Sequence, residues 1–543
     1  MSQYDHLDKD ALIRLLQRRD AQRQLGLAWE REEIDPDAAL NDDFVALDLD
    51  PALSHGDAPW KNLVIEGDNY DALRALRMSH KGAVRCIYID PPYNTGNRDF
   101  VYNDRFVDKT HRFRHSLWLE FMYRRLTIAK ELLADDGVIF VSIDDNELFR
   151  LGMLMDRVFG EDNFIANVIW QKVYSPKNTA QHFSDDHEYV VVYARNRMFW
   201  RPNPVPRSAA QDKAYKNPDN DPRGPWKPSD LSARNYYGEG TYPITSPSGR
   251  VISGPPSGRY WVIAEPKFKE QDADERIWWG KDGANIPAGK RFLSEVKQGV
   301  VPQTLWTYGE VGHTQDAKKQ LLDVLSFESS ADVFSTPKPV QLMERILRIA
   351  SNPGDTILDF FAGSGTMGQA VAKLNAEDGG SRRFILVSST EATVDAPDKN
   401  LCRDVCAQRV RRVLGGYTNA KGERVEGLGG GFAYLRARRI PTHRLSQKLD
   451  HAEVWNALQL MHHRALTPWP GNGFAADATA AAAPLAYLAD FREAHIAHLR
   501  AWLAGVDAAT AIIYCWAPER VRDLAPDADW QPIPQRLRER FGR

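Results

Sequence analysis

Cysteine is scarce in this chain: Cys86, Cys402, Cys406 and Cys515 are the only ones among 543 residues. Four thiols are too few for a disulfide framework. With no His or Cys cluster to complete a site around Cys402 and Cys406, no bound metal is expected. Long apolar runs are missing as well. Without about 18 consecutive apolar residues, and without a leader-like pattern after Met1, a cytoplasmic protein with no membrane partner is expected. Nor is there an excess of positive charge: 70 Lys and Arg against 73 Asp and Glu leave a net charge of −3. Charge as a whole therefore gives no argument for a polyanionic partner, and any such surface must be local, with acid elsewhere balancing it. No internal repeat is visible, which removes solenoids and propellers.

What is present is the composition of an ordinary globular protein, 43% hydrophobic and 26% charged, long enough for about two to four domains. Residues 1–60 read as an N-terminal helix and arm: "DKDALIRLLQRRDAQRQLGLAWE", residues 8–30, is amphipathic, and an acidic, Pro-containing stretch follows. From 61 to 164 strands and helices alternate through "NLVIE", "GDNYDALRAL", "AVRCIYID", "WLEFMYRRLTIAKELLADDG" and "VIFVSID". That is the texture of an α/β domain with a parallel sheet. Between 165 and 335 it dissolves into Pro, Gly, Asn and aromatics, among them Trp170, Trp200, Trp226, Trp261, Trp278, Trp279 and Trp306. It returns from 336 to 430 in "PKPVQLMERILRIA", "DTILDFF", "AGSGTMGQAVAKL" and "RRFILVS". The middle stretch is thus expected to be an insertion between two parts of one sheet. The tail, 431–543, is expected to be a small separate α/β domain, with the Ala-rich "AADATAAAAP" as linker and "ATAIIYCW" as a strand.

Two stretches carry chemistry. In "CIYIDPPYNTGNRDFVYND", residues 86–104, a strand runs straight into Asp90-Pro91-Pro92-Tyr93. Prolines donate no backbone hydrogen bond and fix φ, so the segment leaves the sheet stiff, with free carbonyls between a carboxylate and a ring. A rigid strand-ending turn is the plain reading; a platform of acceptors beside a stacking surface is the functional one. In "ILDFFAGSGT", residues 357–366, Asp359 ends a strand, and Gly363 and Gly365 turn the chain into a helix. The third glycine of the dinucleotide fingerprint and the G-K-[ST] of a phosphate-binding loop are both missing, so a phosphate is not the expected ligand. The early acid and the Phe360-Phe361 pair suit a ligand with a positive amino-acid end and an aromatic end, as S-adenosylmethionine has.

Together, D-P-P-Y and F-x-G-x-G resemble the amino-methyltransferases of DNA, with the catalytic motif ahead of the cofactor motif as in that family's permuted β class. The resemblance extends to the modification subunits of type III restriction–modification systems. It is carried by "DDGVIFVSIDDNE", "GEDNFIANVIWQK", "KRFLSEVKQGVVPQTLW", "EVGHTQDAKKQL", "STPKP" and "LDFFAGSGTMGQAV", in order across roughly residues 8–415. It implies a Rossmann-like methyltransferase sheet in two halves, catalytic (61–164) and cofactor-binding (336–430). The insertion 165–335 is implied to recognise the target, and the tail to serve dimerisation or partner docking.

The resemblance also implies S-adenosylmethionine as cofactor, double-stranded DNA as partner and N6 of a flipped-out adenine as methyl acceptor. Asp90 and the Pro91 carbonyl would accept from the amine, with Pro92 stiffening the platform and Tyr93 stacking on the base. Asp359, Phe361, Gly363 and Gly365 match the cofactor motif. Asp68 with Asn69 matches the acid that reaches the adenosine, helix capping being its plain alternative, and Lys338 in "TPKP" is a further expected cofactor contact. Where many nucleoside binders place an acid for the ribose, this chain has Ser388, Ser389 and Thr390, with Glu391 the candidate substitute. A homodimer and a nuclease/helicase restriction subunit are the implied protein partners, unless the chain is a solitary relative. The alternatives are an N4-cytosine methyltransferase, or a DNA-binding specificity subunit that recruits a nuclease or helicase. Within the insertion, Arg234, Arg250, Arg259, Lys290, Arg291 and Lys297 are candidate DNA contacts, and most of the tryptophans are expected to be core.

Overall fold

The computed structural model describes residues 9, 13, 29, 43–96, 101–102, 105–106, 111–176, 178–207, 212–296, 299–327, 334, 336–392, 396–441, 448–477 and 482–542. The helix expected over residues 8–30 lies outside the described residues except at Lys9, Ile13 and Trp29, and the candidate DNA contact Lys297 lies outside them too. The chain divides into two compact units, one of residues 1–201 with 303–543 and one of Pro202–Pro302.

The larger unit holds a sheet of β1 (Phe44–His55), β2 (Asn62–Glu66), β3 (Val84–Ile89), β4 (Leu133–Ile143), β5 (Phe164–Gln171), β6 (His187–Ala194), β7 (Leu305–Trp306), β8 (Thr356–Asp359), β9 (Arg383–Ser388) and β10 (Phe432–Ile440). Their spatial order is β1–β10–β2–β9–β8–β3–β4–β6–β5–β7. Every pair from β10 to β4 is parallel, while β1, β6 and β5 join antiparallel. The central strands are short runs of Val, Ile and Leu because they are buried on both faces: Val64, Ile65, Ile87, Ile89, Ile357 and Leu358 are fully enclosed.

The packed helices are α1 (Asn69–Ser79), α2 (Arg114–Leu132), α3 (Leu148–Phe159), α4 (Val340–Ala350) and α5 (Thr366–Asp378). In α4, Leu342, Met343, Ile346, Leu347, Ile349 and Ala350 are buried, a stripe at helical spacing. β2 and β3 are consecutive in the chain yet separated in the sheet by two strands, β9 and β8. The chain leaves β3 toward β4 on one side and β8 toward β9 on the other. The β3/β8 boundary is therefore a topological switch point, the place where open α/β sheets form a crevice.

The α/β sheet is as expected; its limits differ. The insertion anticipated over 165–335 contributes β5, β6 and β7 to the main sheet, and the separate unit is confined to 202–302. Strand pairing between β6 and β4 draws the flanks into the sheet, and aromatic texture masks such strands in the sequence. The tail likewise gives β10 to the main sheet, wedged between β1 and β2. Its remainder forms a four-stranded sheet of Phe474–Asp477, Leu485–Leu488, Ile512–Cys515 and Asp529–Pro532. The Ala-rich stretch thus begins inside a strand, and its residues 478–481 lie outside the described residues.

The smaller unit packs Leu231, Tyr242, Ile244, Trp261, Phe268, Ile277 and Trp279 into its own core. Six of the seven tryptophans singled out between 165 and 335 are buried and Trp278 is half-buried, so they act as core. Lys290 is corrected as a DNA contact: its side chain is 5% exposed and its ammonium is spent on Asp219 and Asp221 at 2.5 and 2.9 Å. Among the described residues, no helix is long and apolar enough to cross a membrane, and no group of three or more His, Cys, Asp and Glu is arranged to hold a metal.

Candidate active site

Ile87 of β3 pairs with Leu358 of β8. That register brings two acids to the same edge of the sheet, Asp359 as the last residue of β8 and Asp90 just past the end of β3. Asp90 follows the last residue of β3, and the two prolines behind it allow no further ladder. The second proline is tied down, because the indole of buried Trp118 donates to the Pro92 carbonyl at 2.7 Å. Beyond Tyr93 the chain turns at Asn94, whose φ of 57° is the left-handed region that Asn tolerates. Asn94 is fully buried and donates to Glu147 at 2.5 Å, and the same Glu147 oxygen meets the His115 ring at 2.5 Å. Burial pushes the Glu147 carboxyl up. The platform is thus clamped before and after the tyrosine.

Around Asp90, itself half-buried, lies a cluster of charge that includes the buried Lys338 and the half-buried Glu188. The Lys338 ammonium donates to both Asp90 oxygens at 2.8 Å and to the Tyr93 hydroxyl at 3.0 Å, and stands 3.5 Å from Glu188. The Tyr93 hydroxyl has two carboxylate acceptors at 2.9 Å, Asp90 and Glu188, and one proton to give. Lys172 reaches Glu188 at 3.4 Å and Asp185 at 3.3 Å. Burial pushes the Asp90 carboxyl up, against the pull of Lys338. Burial acts on Glu188 in the same sense, but two lysines and Tyr93 outweigh it and hold that carboxyl below its ordinary value. Lys338, despite burial, is held above its ordinary value by Asp90 and Glu188. Of the two acids, Glu188 is therefore the firmer anion.

Asp359 is 3% exposed, and its carboxylate accepts from the Phe361 N–H at 3.0 Å. Burial pushes it well above the ordinary carboxylate range, Asp90 adds to the effect, and among the described residues no cation is paired with it. The turn that follows needs its glycines. Gly363 has φ 48° and a Cβ there would lie 2.9 Å from the Phe334 ring; Gly365 has φ 76° and a Cβ would lie 3.0 Å from the Cys406 carbonyl. Phe361 is half-buried, 6.0 Å from the Phe121 ring. Asp68 caps α1, accepting from Tyr70 and Asp71, and pairs with Arg125 at 3.1 Å. Asn69 donates to the Phe360 carbonyl at 2.9 Å and accepts from Arg125 at 2.5 Å, so α1 is stitched to the Asp359 turn. The capping reading of Asp68 is what the backbone shows, and half of its side chain stays exposed. Glu391 pairs with Lys399 at 2.8 Å.

Asp90, Pro91, Pro92, Tyr93 and Lys338 thus form one group, and Asp359, Phe361, Gly363, Gly365, Asp68 and Asn69 another along the same edge. Lys338, expected beside the second group, is placed on Asp90, with its ammonium 2.8 Å from both carboxylate oxygens. Sequence reasoning missed Glu188, Lys172, Trp118, Arg125 and Arg409. Arg409 is fully buried and donates to Ser364, Thr366 and Gln369 at 3.1, 2.7 and 2.8 Å, behind the glycine turn. Burial pushes it down to about 10. Only Glu188 had a visible signal, an acid leading the apolar run "YVVVYA".

Comparison with known proteins agrees with this geometry. The family described as DNA methylase matches residues 84–396. The chain is 37% identical over 382 residues to the type III restriction-modification enzyme StyLTI Mod subunit of Salmonella typhimurium, covering 65% of this chain and 57% of that one. It is 33% identical over 383 residues to the EcoPI Mod subunit of Escherichia phage P1, covering 61% and 58%. It is 32% identical over 344 residues to the type II methyltransferase M.KpnI of Klebsiella pneumoniae, covering 60% and 79%. The chain spans less than three-fifths of the length of those two Mod subunits. The family match takes in more than half of the chain and encloses both Asp90 and Asp359, and the protein is accordingly a member of the N6/N4 DNA methylase family.

Proposed function

We propose that the protein transfers a methyl group from S-adenosylmethionine to N6 of adenine in double-stranded DNA. In this reading it serves as the modification component of a type III-like restriction–modification system, or as a solitary relative. The observation that carries it is the meeting, at one switch point, of a rigid carboxylate platform and a buried acid beside a glycine turn. The second group fits the cofactor. Among the described residues no cation is paired with the buried Asp359, and α5 follows its N-cap Gly365 with no side-chain cap hydrogen bond. A zwitterionic amino-acid end complements an unpaired acid and a free helix N-terminus together. Asp359 would hold its ammonium and the first turn of α5 its carboxylate, with Phe361 against the apolar part. When bound, S-adenosylmethionine supplies an electrophilic methyl group.

The rest falls to the chain's own residues. An exocyclic amine is a poor nucleophile because its lone pair is delocalised into the ring. Asp90 Oδ and the Pro91 carbonyl accept its two N–H groups and draw the nitrogen toward tetrahedral geometry. Acceptors fixed before the reaction stabilise the charge that develops there. Burial favours the protonated form of Asp90, so its oxygen is also a ready first acceptor for the proton the amine sheds. Tyr93 stacks on the flipped base: flipping costs a few kcal/mol and one aromatic stack returns roughly 1–3 kcal/mol. Backbone contacts supply the remainder. The resemblance associates Asp at position 90 with adenine rather than cytosine, and the Mod relatives are in keeping with a restriction subunit as partner.

The test is to express the chain in a methylation-free host and read modified bases in native DNA, with Asp90→Ala beside it. N6-methyladenine on one short motif is expected, lost at least about a hundredfold in the variant, while S-adenosylmethionine still binds. Normal methylation by Asp90→Ala would refute the mechanism, and N4-methylcytosine would move the assignment to the other amine.

A further inference from the structure

Asp90 is fully engaged before any base arrives. Both of its oxygens receive the Lys338 ammonium at 2.8 Å, and the Tyr93 hydroxyl is 2.9 Å from one of them. An incoming amine must therefore share Asp90 with a cation or displace it. The alternative seat for that cation is already built. Glu188 Oε2 stands 3.5 Å from the same ammonium and 2.9 Å from the same hydroxyl. It is presented by β6, two strands from the β3 that precedes Asp90. Its side chain is 13% exposed and that of Lys338 is 9% exposed, so water is a poor competitor for either. Lys172 closes the far side of Glu188 at 3.4 Å, which keeps this carboxylate ionised when Lys338 is on Asp90.

We infer that Glu188 is a positioning residue for methyl transfer. It takes the Lys338 ammonium and the Tyr93 hydroxyl from Asp90, and so frees an Asp90 oxygen to accept the target amine. The inference rests on the reading of Asp90 as the amine acceptor. Moving the ammonium between two carboxylates within one cluster leaves the total charge of the cluster unchanged, and the N–H of the incoming amine takes the place of the cation on the Asp90 oxygen that is vacated, so that acceptor is not left without a donor. Tyr93 needs only to redirect its one proton between two acceptors at equal distance, so the ring that would carry the base stays in place.

The test compares purified wild type with Glu188→Gln, Glu188→Asp, Lys338→Met and the Glu188→Gln/Lys338→Met pair. Each is assayed for S-adenosylmethionine affinity, KM for DNA and single-turnover methylation rate, with folding checked by circular dichroism. Glu188→Gln keeps the shape and the Tyr93 acceptor but not the charge. It is expected to slow methylation at least about tenfold with cofactor affinity unchanged, while Glu188→Asp stays within about threefold of wild type. In the Lys338→Met background, loss of Glu188 is expected to change the rate less than about threefold, because no cation is left to relocate.

Equal losses in both backgrounds, or a Gln variant as fast as wild type, would overturn the inference. So would Gln active and Asp inactive, the order that a purely space-filling role predicts, and that comparison needs no folded Lys338 variant. A wild type that methylates no amine overturns the reading of Asp90 itself, and this inference with it.

Discussion

Three alanine substitutions can separate the two reasons why the turn after Asp359 needs glycine. Gly365 and Gly379 flank the same helix, α5, and both are left-handed, with φ of 76° and 70°. An alanine at either position bears the same backbone penalty, about 1 kcal/mol for a non-glycine residue in that region. Their surroundings differ. A Cβ at Gly379 meets nothing within 4 Å, whereas one at Gly365 lies 3.0 Å from the Cys406 carbonyl and 3.1 Å from its sulfur. The carbonyl belongs to the π-helical turn Cys402–Ala407, whose residue Cys406 is fully buried, so it has little room to retreat. Overpacking of this kind adds roughly 1–3 kcal/mol. Gly379→Ala should thus lose about 1 kcal/mol of stability and Gly365→Ala about 2–4 kcal/mol.

Gly363→Ala falls between them. Its Cβ lies 2.9 Å from a ring atom of Phe334, a side chain that can swing where a main-chain carbonyl cannot. Urea unfolding of the three variants measures the order, and calorimetric titration with S-adenosylmethionine measures the site. Cofactor affinity should survive Gly379→Ala and fall at least about tenfold in Gly365→Ala if the turn cradles the ligand as proposed. Equal destabilisation at Gly365 and Gly379 would refute the packing argument. Intact cofactor binding by a folded Gly365→Ala protein would refute the assignment of the cradle.

Two further outcomes are expected. Burial, with His463 and Arg383 adding to it, pushes His80 down to about 3. The unfolded chain then takes up the proton first, so stability falls as the pH drops below about 6.5 and levels off near 3; about 2 kcal/mol is lost between pH 7 and 5. His80→Asn should remove that slope in urea titrations at the two pH values, and an unchanged slope would refute it. Trp118→Phe leaves the half-buried Pro92 carbonyl without its indole donor, at about 1 kcal/mol, and should lower the methylation rate more than cofactor affinity. Rates equal to wild type would show that the platform does not need that anchor.

The α/β class, the strand that runs into Asp90 and the turn at Gly363 and Gly365 were all legible in the sequence, and capping by Asp68 stood there as the alternative to a cofactor contact. Each depends on local chemistry: apolar runs that only a buried strand accommodates, prolines that end a ladder, glycines at positive φ, and a carboxylate next to free helix amides. The family was legible too, because its motifs survive in order along the chain.

The limits of the inserted unit were not legible. β6 joins the sheet through β4 of the preceding half and β7 through β5, far earlier in the chain, and such pairing leaves only a weak local trace. The cluster on Asp90 was equally hidden. Glu188 and Lys338 come from different segments, and only the closure of β6 beside β4 and the course of the Thr336–Pro339 stretch bring them together. Which cation neutralises a buried acid is set by distance in three dimensions, and a one-dimensional pattern does not encode it. By itself the sequence determined which groups the protein has for its chemistry; tertiary packing decided which of them meet, because buried charges are stable only where the fold supplies a partner.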